Sequence, residues 1–208
     1  MEAAKDQGAP GRREGKREHI LMSALRVFGQ RGFHQATIEE VAKEAGVGKG
    51  TIYLYVPSKE ALLREAIRFT AGEHFRQARS IAAGEGEPLE KLSRILELET
   101  AFFLSNREVA RAFLHDQTGI GYSVEIRETL TDMYRQRKAL LVELIQEAQG
   151  LGQLDSSIAA ERLALGLAGM NDALLLDALI EERQADPHEL AAFCTTLFLR
   201  GAQPRPTG

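Results

Sequence analysis

Apolar side chains recur at helical spacing along almost the whole chain. Ile20, Leu21, Ala24, Val27 and Phe28 form a first stripe that stops at Gly32. Thr37 with Glu40 three residues on is a capping-box pattern. Ile38, Val41, Ala42 and Ala45 then fall at i, i+3, i+4 and i+7, one face of a short helix. Gly46 ends it, because a sharp turn there needs the left-handed backbone that glycine adopts without cost. A second short helix is predicted from about Lys49 through Thr51, Ile52, Tyr53 and Tyr55, and Pro57-Ser58 closes the unit and caps the next helix. That next, long helix carries Leu62, Leu63, Ala66, Ile67 and Phe69 and fades near Gly84, where the run GEGEP breaks the pattern. Beyond it, helices are expected at about 88–104, 107–117, 122–149, 157–182 and 187–200. No strand-like alternation appears, so the predicted class is all-α. The ends, 1–11 and 203–208, hold no periodic apolar pattern and are expected to be disordered.

The two short helices read as a helix-turn-helix, whose second helix enters the DNA major groove while the first crosses the backbone. The residues suit that role. Lys49 is a phosphate or guanine ligand, Gly50 admits close approach, and Thr51 can meet a base edge or a thymine methyl. Tyr53 and Tyr55 carry hydroxyls that can reach phosphates, while Ile52 faces the core. Lys59 starts the following helix, where free N–H groups already favour a phosphate. Arg12, Arg13, Lys16 and Arg17 form a basic cluster that is either a solvated helix start or a groove contact.

The run from Ala24, Phe28, Gly32 and Phe33 through Ala36 to Leu63 resembles the DNA-binding domain of the TetR/AcrR transcriptional regulators. The resemblance covers about residues 16–68, a quarter of the chain. Two positions depart from it: Gly48 stands where the family often has Ser, and Val56 where it often has an aromatic. It implies DNA binding by Thr37, Gly48, Lys49, Gly50, Thr51, Tyr53, Tyr55 and Lys59. It also implies a head at 12–68, and a larger ligand-binding and dimerisation body at 69–202 that the long helix connects to the head.

Charge distribution fits. The net charge is −4, but residues 1–70 carry 12 Lys+Arg against 9 Asp+Glu, leaving 14 against 21 for the rest. The basic end is the helix-turn-helix end, and an acidic body orients it towards DNA. The single Cys194 excludes an internal disulfide framework and suits a reducing compartment. Apolar runs are read as shorter than the ~18 residues a membrane span needs, and the charged N-terminus lacks a signal-peptide core, so no membrane partner and a cytoplasmic location are expected.

The body offers no catalytic constellation. Its histidines are scattered, no His/Cys pair has zinc spacing, and adjacent His115 and Asp116 would point apart on a helix, so no catalytic residue, metal or cofactor is assigned. The segment 157–182 is apolar nearly all round and so buried on more than one side. Leu163, Gly166, Leu167, Met170 and Leu174, with Phe193 and Leu197 of the last helix, are assigned to a four-helix homodimer interface, which would place two recognition helices about 34–36 Å apart. A small, mainly apolar effector would sit among Phe102, Phe103, Phe113, His115, Gln117, Tyr122, Arg127, Tyr134 and Asn171, three helices of the body forming the walls in the resembled family. Asn171-Asp172 faces that cavity, bonds across the interface, or is exposed. The expected function is a ligand-responsive repressor of a palindromic double-stranded operator. The alternatives are an activator, and a helical enzyme or carrier whose helix-turn-helix is structural.

Overall fold

The computed structural model describes residues 10–105, 124–181 and 184–203, and among these it is entirely helical. Three helices build the head: α1 (Pro10–Arg31), α2 (Ile38–Glu44) and α3 (Lys49–Tyr53). The linking helix α4 (Lys59–Ala83) leads to the body, formed by α5 (Pro88–Ser105), α6 (Val124–Gly150), α7 (Ala160–Ile180) and α8 (Pro187–Ala202). Helix α1 begins inside the stretch expected to be disordered, since proline is preorganised for a helix's first turn. The helix expected at 107–117 lies outside the described residues, as do residues 1–9 and 204–208.

The local signals act as read. The Glu40 N–H donates to Thr37 Oγ1 (3.2 Å) and the Thr37 N–H to Glu40 Oε2 (2.9 Å), completing the capping box. At the other end of α2, Gly46 has φ +62. Its N–H donates to Lys43 O and that of Val47 to Ala42 O, the paired bonds of a Schellman turn. The Ala61 N–H donates to the Ser58 hydroxyl at the start of α4 (3.1 Å).

Two main cores follow. The head core gathers Leu21, Leu25, Phe28, Val41, Ile52 and Leu62, but it also contains Ile126 of α6, with Phe102, Leu130 and Met133 packed against it. Body side chains therefore complete the core of the head. The second core is made by α5, α6, α7 and α8, among them Leu96, Leu144, Leu167 and Phe198. A smaller pair, Leu175 and Leu179, packs with Phe103 and Leu104.

Helix α7 corrects two expectations. With mean hydropathy of 1.6 over an 18-residue window, it is long and apolar enough to cross a membrane by length and composition, contrary to the sequence reading. Here, however, Leu163, Leu167, Leu175 and Leu179 bury against the rest of the chain. Leu163 and Leu167 therefore cannot form an interface between subunits, and Met170 and Leu174 are half-buried beside the same core. The uncovered face lies elsewhere on α7: Leu165, Leu176 and Ile180, with small exposed Gly166, Gly169 and Ala173 between them. A nearly uniform apolar helix has no moment strong enough to say which side turns inward. Phe193 and Leu197 of α8 are exposed, as an interface requires.

Candidate nucleic-acid interface and regulatory core

Helix α3 is docked by one residue. Ile52 is fully buried in the head core, which turns Lys49, Gly50 and Tyr53 to solvent and leaves Thr51 half-buried. Gly48 caps the helix without any side-chain hydrogen bond, as the loss of Ser at this position implies. A Cβ added at Gly50 would meet nothing within 4 Å, and one at Gly48 only Thr51 Oγ1 at 4.0 Å. Neither glycine has positive φ. Glycine inside a helix costs about 1 kcal/mol relative to alanine, and nothing within the chain requires that cost at Gly50.

Lys49 is held by the Glu39 carboxylate, and its ammonium lies 5.9 Å from the Tyr53 ring centroid. The hydrogen bond from Lys49 draws the Glu39 carboxyl below the ordinary range and raises the lysine in turn. Thr37 is exposed at the start of α2, beside this pair.

Three residues differ from their expected roles. Helix α3 ends at Tyr53, so Tyr55 lies beyond the cap residue Leu54 and packs, half-buried, against the head core. Lys59 does not face solvent as a phosphate ligand. Its ammonium donates to the carbonyls of Phe33 (2.9 Å), His34 (3.3 Å) and Ala36 (3.0 Å), which uses all three N–H bonds. Arg17 of the basic cluster is bound to Glu65 on α4 (2.8 Å). Conversely, Leu54 is 80% exposed beside Tyr53, an apolar group on the same candidate surface that was not among the expected residues. Its position between the two tyrosines, off the apolar face that Ile52 marks, was the available signal.

In the body, the expected pocket residues that are described divide between packed and exposed positions, although the Phe102 and Phe103 rings meet edge-on with centroids 5.3 Å apart. Phe102 packs towards the head core and stacks edge-on with His74 (centroids 4.0 Å apart), while Phe103 packs on Leu175 and Leu179. Arg127 and Tyr134 are exposed on α6. Phe113, His115, Gln117 and Tyr122 lie outside the described residues. Asn171 is buried; its Oδ1 accepts from Thr100 Oγ1 (3.3 Å) and its Nδ2 has no partner among the described residues.

The neighbouring Asp172 belongs to a network that sequence reasoning missed. Arg137 of α6 donates to both carboxylate oxygens of Glu99 on α5 (2.9 and 2.8 Å) and of Asp172 on α7 (3.0 and 2.9 Å). One guanidinium thus ties three helices together. Burial pushes the Glu99 carboxyl above its ordinary range, against the pull of Arg137. Burial alone would lower the Arg137 guanidinium, but the two carboxylates raise it overall. Burial also pushes the Cys194 thiol up to about 11, so it is not a reactive thiolate. The sequence signal was polar Asn171-Asp172 inside an apolar helix, but the partners lie 35 to 73 residues away, and no periodicity reports such a pairing.

These features agree with comparisons to known proteins. Residues 20–66 match the model of the bacterial regulatory proteins, tetR family. The HTH-type transcriptional regulator BetI of Rhizobium meliloti is 31% identical over 162 residues, 77% of this chain and 76% of that protein. The uncharacterized HTH-type transcriptional regulator YdgC of Bacillus subtilis is 29% identical over 191 residues, 91% of this chain and 93% of that one. Among solved structures, the transcriptional regulator FadR from Bacillus subtilis in complex with stearoyl-CoA superposes with a TM-score of 0.79 at 19% identity, covering 89% of this chain and 98% of that one. With its capped helix-turn-helix, its all-helical body and a relative alike across three quarters of both proteins, the chain belongs to the TetR family of bacterial transcriptional regulators.

Proposed function

We propose that the protein is a homodimeric, cytoplasmic repressor that reads a palindromic operator through Thr37, Gly48, Lys49, Gly50, Thr51, Tyr53 and Leu54, and leaves it when a small, mainly apolar effector binds the body. The observation that carries the DNA reading is the pair of glycines flanking Lys49. Gly50 faces open space, Gly48 has only the Thr51 hydroxyl at the edge of contact, and neither relieves strain, so close approach by an outside partner accounts for them. A lysine, a tyrosine and an exposed leucine around them supply phosphate, base-edge and thymine-methyl contacts.

Coupling to an effector is supported by the shared core. Ile126 is fully buried in the head, and Phe102, Leu130 and Met133 pack against it, so a shift of α5 or α6 in the body must move head side chains. An effector with unequal affinity for two body arrangements would thereby change the spacing of the heads. FadR, alike in fold, is bound to stearoyl-CoA, which supports an elongated apolar effector. The uncovered faces of α7 and α8 would join those of a second copy as a four-helix interface.

The test is selection of duplex sequences by the purified protein at near-physiological salt. The expected result is a palindromic consensus. Absence of any enrichment would overturn the operator reading, and a monomer at micromolar concentration would overturn the dimer.

A further inference from the structure

Helix α2 carries three acidic residues, and the structure occupies each differently. Glu40 is bound to Thr37 and lies 3.6 Å from Arg31, and Glu44 accepts from Arg26 (3.0 Å); both hold the head together. Glu39 alone of the three reaches across to the recognition helix, where its carboxylate holds the Lys49 ammonium. Both partners are about half exposed, and an ion pair this wet adds little to folding. Folding therefore does not explain a carboxylate on a surface that must approach a polyanion, where like charges oppose each other. Specific binders use such repulsive elements to reject wrong partners.

We propose that Glu39 is a positioning residue that sets specificity: it competes with DNA phosphates for Lys49. On arbitrary DNA the lysine must give up Glu39 for a phosphate while the carboxylate is left facing the backbone. On the operator one N–H of the ammonium meets a base-edge ligand, such as guanine O6 or N7, while another keeps Glu39, so the pair is broken only on arbitrary DNA. The device rests on the DNA-reading function proposed above.

Full-length wild type, Glu39→Ala, Lys49→Ala and the double variant are titrated with poly(dI-dC) duplex and with the selected operator at matched salt. Equal thermal unfolding of Glu39→Ala and wild type checks that the head is intact. Glu39→Ala should bind poly(dI-dC) about three- to tenfold more tightly and gain less on the operator, so discrimination falls. In the Lys49→Ala background the same change should have less than about a twofold effect, because the competition requires the lysine. Unchanged poly(dI-dC) affinity in Glu39→Ala overturns the proposal. So does a gain that persists in full without Lys49, which would mean simple repulsion. Failure of wild type to bind either duplex would overturn the DNA reading itself, a result distinct from both.

Discussion

Lys59 and Phe33 are joined twice: the lysine ammonium donates to the Phe33 carbonyl at 2.9 Å and stands 4.7 Å from its ring centroid. With the carbonyls of His34 and Ala36 it closes the loop between α1 and α2 onto the first turn of α4. Lys59→Met should therefore cost stability, about 1.5–3 kcal/mol for hydrogen bonds made by a charged donor, measured by denaturant unfolding. The slope of DNA affinity against salt should stay as in wild type, whereas Lys49→Ala should reduce it by about one. A slope reduced by Lys59→Met would restore this residue to the phosphate contacts.

Arg137 is the only cation bonded to both Glu99 and Asp172 among the described residues. Replacing it with Met leaves two carboxylates facing each other. Breaking a buried pair costs about 3–5 kcal/mol, and the guanidinium is about a quarter exposed, so a loss of about 2–4 kcal/mol is expected. Glu99→Gln should be much milder, since burial already favours the uncharged carboxyl there. Equal losses in chemical denaturation would contradict this division of roles.

His74 lies on α4 against Phe102 of α5, where burial lowers its pKa and Glu73 only partly opposes the shift. A histidine with a depressed folded pKa stabilises the fold above its unfolded value of about 6.5, and that contribution is lost as pH falls through the lower folded value. Wild type should thus lose stability relative to His74→Leu between about pH 7 and pH 5. His188, raised by its hydrogen bond to Glu97, works in the opposite sense, so the comparison must be with the variant rather than with wild type alone. Parallel stability curves for the two proteins would rule out this role for His74.

Phe193→Glu and Ile180→Glu place a charge on the uncovered faces of α8 and α7 without touching the subunit's own core. Sedimentation should find monomers and operator affinity should collapse, while Thr37→Ala, which breaks the capping box and removes a hydroxyl proposed to meet DNA, should cost about 1 kcal/mol of stability and leave the dimer intact. Dimers that survive both glutamates would place the interface elsewhere.

What the amino-acid order determines here is local. Thr37 and Glu40, Gly46, and Ser58 specify their turns through bonds spanning three to five residues, so the helix-turn-helix is legible in the sequence without any tertiary contact. The tertiary structure decided what depends on distant partners. Lys59 reads as a phosphate ligand from its place at a helix start, but three carbonyls from residues 33–36 surround it. Leu163 and Leu167 read as an interface because α7 is apolar on nearly every side, whereas packing against α5, α6 and α8 chooses which side turns inward. Arg137 carries no periodic signal at all. Its role exists because three helices bring the carboxylates of Glu99 and Asp172 each within about 3 Å of Arg137, a convergence that composition and spacing do not encode.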